Sequence, residues 1–116
     1  MQIDVEHEGS VVVLIPVGDM DVTTLPDFEA RLAALAQEGV RAILWDLHGV
    51  GILPSTALGF LLQARRRLGD AGGHMALARA NRLVRSTLGT MGVLDVFPVF
   101  ETREEGLRHL EGQVAS

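Results

Sequence analysis

The chain has 116 residues, 47% of them hydrophobic and 22% charged, with a formal net charge of −5 and no cysteine. That length suits one domain spanning 1–116. The acidic balance opposes a broad electrostatic grip on nucleic acid, and the missing thiols exclude disulfides, thiol catalysis and thiolate metal sites.

All ten cationic residues are arginine, so no mechanism can use a Schiff-base or phosphate-loop lysine. One tryptophan, four phenylalanines and no tyrosine offer few platforms for base stacking. No apolar run approaches the roughly 18 residues of a membrane span. The opening "MQIDVEHEGS" has neither a basic region nor an apolar leader core. The expectation is a cytoplasmic protein without membrane insertion, whose partner is another protein.

In chain order, "IDVEHEG" alternates up to Gly9–Ser10 and "VVVLIPVG" (11–18) is almost continuously apolar. This predicts a hairpin joining an edge strand to a strand buried on both faces, with Pro16 marking a bulge or a lost ladder bond. Thr23 or Thr24 is the expected N-cap of a helix with Pro26 and Asp27 in its first turn, apolar positions Leu25, Phe28, Leu32 and Leu35, and a stop at Gly39. "RAILWDL" (41–47) reads as a second interior strand, with Trp45 in the core, and a helix between two such strands indicates a right-handed parallel crossover.

A helix begins within "GILPSTALGFLL" (51–62), carries Leu58, Leu61, Leu62 and Leu68 on one face, and ends at "GDAGG" (69–73). "HMALA" (74–78) is a third interior strand. "NRLVRSTLGTMG" (81–92) is a helix closed by Gly92, and "FPVF" (97–100) a short last strand. Thr102 and Glu105 form a capping box ahead of Leu107 and Leu110. The order ββαβαβαβα predicts an α/β fold with a mixed sheet of four to five strands and about four helices.

The hydroxyl pair after Pro54 has two readings. Ser55 fits an N-cap, its oxygen accepting a backbone N–H two or three residues on. Thr56 contributes little to a first turn, so its hydroxyl is either surface decoration or a functional handle. A phosphoryl group there would bring about −1.5 to −2 charges to the positive pole of a helix, which tolerates an anion while a docked partner does not.

"GDMD" (18–21), "ILWDLHGVGILPSTALGFLL" (43–62), "GGHMALA" (72–78) and "LVRSTLGTMGVLDVFPVFETREEGL" (83–107) together resemble a STAS domain of the anti-sigma factor antagonist family. That family carries D-S-S-G-L-G or D-S-T-G-L-G at the strand-to-helix turn, with the phosphorylated hydroxyl third. The resemblance implies phosphorylation at Thr56, with Ser55 as the alternative, and a partner-binding surface comprising Asp21, Pro54, Ser55, Thr56, Ala57 and Leu58. It implies a serine/threonine kinase acting as anti-sigma factor as the partner, bound by the unphosphorylated form so that a sigma factor is freed. As the alternative to this first reading, it accommodates a STAS scaffold or subunit that does not switch, in a stress-sensing complex or a lipid-transport ATPase. This chain departs from the motif in having Pro54 for Asp, which removes a carboxylate acceptor, and Ala57 for Gly, which adds a methyl.

Other constellations point elsewhere. Asp19, Asp21 and Asp46 are placed like the acidic pocket of response-regulator receivers, but a receiver needs a lysine. Asp21 reads better as a turn residue and Asp46 as a solvated strand-end group. The histidines at 7, 48, 74 and 109 lack ligand spacing, so neither metal nor cofactor is expected. No nucleophile elbow precedes Ser55, so an enzyme is not expected. Arg65, Arg66 and Arg67 read as a solvated helix face, or as the rim of a protein-binding patch if Phe60 or Leu61 is exposed. A homodimer is compatible with all of this.

Overall fold

A computed structural model describes residues 2–18 and 20–115. Its elements are β1 (Gln2–Glu8), β2 (Val11–Val17), α1 (Leu25–Gln37), β3 (Ala42–Asp46), α2 (Ser55–Asp70), β4 (His74–Ala78), α3 (Arg82–Thr90), β5 (Val99–Phe100) and α4 (Arg103–Ala115). The five strands lie in the order β1-β2-β3-β4-β5, with β1 antiparallel to β2 and the other pairs parallel. The expected order and mixed sheet are both present.

Strand periodicity divides the core into two layers. Val12, Leu14, Ile43, Trp45, Met75 and Leu77 face α1, α2 and α3, whose Phe28, Leu35, Leu58, Leu61, Val84 and Leu88 cover them. The alternate residues Val11, Val13, Ala42, Leu44, Ala76 and Ala78 face α4 and pack with Leu110. Burial on both faces is why these strands read as continuous apolar runs. Trp45 sits in the first layer, edge-on to Phe28 at 5.6 Å and to Phe60 at 6.4 Å between ring centroids. Its indole N–H donates to the Met75 sulfur at 3.3 Å, which leaves no buried polar atom unmet on the ring.

Local chemistry sets the boundaries. The β1–β2 register runs without a skipped residue from Gln2↔Val17 to Glu8↔Val11, so Pro16 makes no bulge; it lies beyond Leu14↔Trp45, where the described β2–β3 pairing stops. Thr24 is the N-cap of α1 but makes no side-chain cap bond. Its hydroxyl instead accepts from the Asp21 N–H and donates to the Asp21 carbonyl, each at 3.0 Å. Gly39 and Gly92 follow the ends of α1 and α3 at φ 84° and 72°, the left-handed conformation that closes a helix without a Cβ penalty. β5 is shorter than expected because Phe97 is drawn into a turn, its N–H donating to the Val93 carbonyl at 2.9 Å. Thr102 accepts the Glu105 N–H at 3.1 Å at the start of α4, while Glu105 turns its carboxylate to the Thr102 hydroxyl rather than to the backbone.

Asp46 is fully buried, which corrects its reading as a solvated strand-end group. Its Oδ2 accepts from Arg103 Nε and Nη2 at 3.2 and 3.0 Å and from Arg79 Nη1 at 3.3 Å. Its Oδ1 accepts the His48 N–H at 3.1 Å. Arg103 also pairs with Glu6 on β1. Burial opposes the charge on Arg103, but its hydrogen bonds to Asp46 and Glu6 outweigh that and raise its pKa above the ordinary value. The carboxylate is thus spent on tying the α4 face of the sheet together. Asp19, its companion in the receiver-like reading, lies outside the described residues.

Candidate functional site

The parallel strands β2, β3 and β4 end at one edge of the domain, where the loops leading into α1, α2 and α3 gather. The β3–α2 loop is built from the inside outward. Val50 and Leu53 plug into the core at 1% and 2% exposure, and the Val50 N–H donates to the Leu47 carbonyl at 2.9 Å to close the turn.

Asn81, the N-cap of α3, does two things at once. Its Oδ1 accepts the Val84 N–H at 2.7 Å, and its Nδ2 donates to the Val50 and Gly51 carbonyls at 3.3 and 3.1 Å. The start of α3 is therefore fastened to the loop that introduces α2. An Asn ahead of a helical pattern signals a cap, but its second attachment, some thirty residues back along the chain, carries no sequence signature.

Pro54, not Ser55, is the N-cap of α2, which corrects the expected cap. Its backbone is extended at φ −68° and ψ 160°, and its carbonyl accepts the Leu58 N–H at 3.0 Å. Proline disfavours helical geometry only for the residue before it and donates nothing that an N-cap needs, so the helix starts directly after it. Ser55 and Thr56 become its first two residues, both exposed. No side-chain cap bond and no acidic first-turn residue is present at this end, so among the described residues its leading N–H groups have no side-chain cap.

Ala57 and Leu58, expected on the partner-facing surface, turn inward at 0% and 1% exposure and belong to the core beneath it. Phe60 and Leu61 are buried as well, so the condition for a patch rimmed by Arg65, Arg66 and Arg67 is not met. Those three arginines are exposed on α2, Arg65 lying over the Phe97 ring at 5.9 Å.

Asp21 lies in the β2–α1 loop, at the same edge of the sheet. Its Oδ1 accepts the Thr23 N–H at 2.9 Å and the Thr23 hydroxyl at 2.6 Å. The Thr23 hydroxyl is the chief cause that holds this carboxyl below its ordinary value of 3.8. Within this edge, Val22 is 64% exposed, Ile52 59% and Leu83 55%. One comes from each of the three loop-to-helix turns, so apolar side chains stand out on the edge that bears Ser55 and Thr56. Sequence reading missed all three, since an exposed apolar residue looks like a core residue until the fold is known.

A layered α/β domain with a mixed five-stranded sheet and a hydroxyl pair opening its second helix is the architecture of the STAS class, and the STAS domain family model matches residues 2–106. The chain belongs to that family. It is 29% identical over 87 residues to "Putative anti-sigma factor antagonist BtrV" of Bordetella bronchiseptica, covering 75% of each chain. It is 26% identical to the anti-sigma-B factor antagonist of Staphylococcus aureus, covering 75% of this chain and 81% of that one. Among solved structures, an anti-sigma factor antagonist from Mycobacterium paratuberculosis superposes with a TM-score of 0.84 at 24% identity, covering 95% and 93% of the two chains. Among the described residues no helix is long and apolar enough to cross a membrane.

Proposed function

We propose that this chain is an anti-sigma factor antagonist, a protein-binding switch set by phosphorylation of Thr56 by a serine/threonine kinase that acts as the anti-sigma factor. The observation that carries the reading is the split in the first turn of α2. Ser55 and Thr56 are exposed, while Ala57 and Leu58 are locked into the core. The names of the relatives support the same role.

A phosphoryl group on Thr56 would stand at a helix N-terminus whose N-cap, Pro54, makes no side-chain cap bond, where the positive pole and the leading N–H groups favour an anion. The fold therefore bears the modification easily. A kinase packed over Val22, Ile52 and Leu83 would face about −1.5 to −2 charges within its interface, and it would leave. The unphosphorylated form docks and withdraws the kinase from its sigma factor.

The two departures from the family motif fit this scheme. Pro54 opens the helix through its carbonyl, and the Ala57 methyl points inward. Asp21, through Thr23, holds the loop that presents Val22. Incubation with the cognate kinase and ATP, followed by mass spectrometry, tests the reading. Label on Thr56 is expected; no label, or label outside residues 55–56, refutes the switch.

A further inference from the structure

Away from this edge, α1 and α2 do not close over the sheet between them. A cavity of about 260 Å³ lies in the gap. Its floor is Ile43 of β3 and Met75 of β4, and its walls are Leu32 and Ala36 of α1 facing Phe60 and Ala64 of α2. Each of these side chains is apolar, and Phe60 and Ala64 keep their residual 8% and 9% exposure on the helix that faces this gap. Unfilled apolar space costs stability, and Gln63 of α2 is the one uncharged polar side chain in the lining, fewer than the two to four polar partners that a held water needs.

The rim is charged unevenly. Arg41, just after α1, and Arg67, in the last turn of α2, stand at the end where both helices finish, whereas Glu29 stands toward the other end. Arg41 uses one donor on the Val40 carbonyl at 3.1 Å, which leaves four of the five that a guanidinium carries. In a chain of net charge −5, two guanidinium groups at the mouth of an apolar groove select an anion with an apolar body.

We infer that this groove binds a single-chain aliphatic carboxylate, its head on Arg41 and Arg67 and its tail running along the α1–α2 gap toward Phe60. Glu29 sets the polarity by repelling the head from the opposite end. A dry cavity of about 150 Å³ accepts a six-carbon ring, so this one accommodates a chain of roughly ten carbons. From Phe60 to Leu68 the groove wall runs about 12 Å at the helical rise of 1.5 Å per residue, long enough for such a chain in extended form. The inference is independent of the phosphorylation reading, since neither Ser55 nor Thr56 lines the groove and its charged mouth lies at the opposite end of α2.

Decanoate and decanol are the probes, followed by isothermal calorimetry and by the fluorescence of Trp45, the chain's one tryptophan, which abuts Phe60. Decanoate is expected to bind saturably at one per chain, and decanol about tenfold more weakly, as the loss of a charge-assisted hydrogen bond entails. Ala64→Phe, which fills the groove, should abolish both without loss of helical signal. The surface pair Arg41→Gln with Arg67→Gln should bring decanoate down to the decanol level and leave decanol unchanged, and it decides the matter should the filled variant fail to fold. Equal affinity for the two probes, binding indifferent to the arginine pair, or no saturable binding would overturn the inference.

Discussion

Arg103 holds Asp46 through two nitrogens on a single carboxylate oxygen, Nε at 3.2 Å and Nη2 at 3.0 Å, although the two residues stand 57 apart in sequence. The contact joins the first turn of α4 to the end of β3, and Arg79 reaches the same oxygen from the end of β4. Arg79 is the one described non-glycine residue with a positive φ, at 60°, a conformation that costs energy unless its surroundings fix it. Its N–H on the Phe100 carbonyl at 3.0 Å and its guanidinium on Asp46 do so.

Replacing Asp46 therefore takes a shared anion from two cations at once, of which Arg103 keeps Glu6. Asp46→Ala is expected to lower unfolding free energy by about 2–4 kcal/mol, less than a wholly buried pair because both arginines keep some water. Arg103→Ala, which leaves Asp46 with Arg79 and the His48 N–H, should cost less. Urea midpoints of the two variants, with unchanged slopes, check the order; equal losses would contradict it.

Gly73 is fixed by lack of space. A Cβ built on it would stand 2.6 Å from the Arg41 carbonyl oxygen and 2.6 Å from Leu68 Cδ1, and the carbonyl cannot withdraw because it accepts the His74 N–H at 2.7 Å. Gly73→Ala should destabilise by about 1–3 kcal/mol, as overpacking does. Thermal melting is the check, with a drop of roughly 4 °C for each kcal/mol in a domain of this size.

Asn81 bears on both helix starts of the candidate site. Asn81→Ala should cost about 1 kcal/mol for the cap, and it also frees the Val50 and Gly51 carbonyls. Asn81→Asp should retain the cap and lose only the Nδ2 bonds. Amide exchange separates the two effects: protection in the β3–α2 loop should fall in both variants, and at the first turn of α3 in the alanine variant alone.

These residues mark where the sequence was readable. The strands at 42–46 and 74–78 were legible because burial on both faces leaves them almost wholly apolar, and the helices because their apolar residues recur at helical spacing and glycines follow α1 and α3. Asp46 was misread because nothing near it in the chain announces Arg79 or Arg103. Ser55 was misread because a hydroxyl after proline looks like a cap, whereas the proline carbonyl had already begun the helix. The groove between α1 and α2 depends on how far apart two helices settle on a sheet, a distance that neither helix encodes alone.

Asp21 gives a pH-dependent signature. Its pKa is lowered on folding, chiefly by the Thr23 hydroxyl, so its contribution to stability is present above the ordinary 3.8 and is lost as pH falls through the lower folded value. Carboxyl-carbon NMR should place the Asp21 titration below 3.8 in the native chain and return it toward 3.8 in Thr23→Val. An unchanged midpoint in that variant would reassign the cause.

The proposed phosphorylation switch predicts a separation of binding from stability at one turn of helix. Thr56→Glu should weaken kinase binding by tenfold or more while moving the melting temperature little, since Thr56 is exposed and a negative side chain early in α2 interacts favourably with its positive pole, by about 0.3–1 kcal/mol. Thr56→Ala should bind as the native chain does and never be released by ATP. Ser55→Ala should bind and be released normally, because the proline carbonyl, not the Ser55 hydroxyl, opens the helix. Surface plasmon resonance against the kinase, with and without ATP, reads all three. A native response in Thr56→Glu, or release of Thr56→Ala by ATP, would place the control of docking elsewhere than at this hydroxyl.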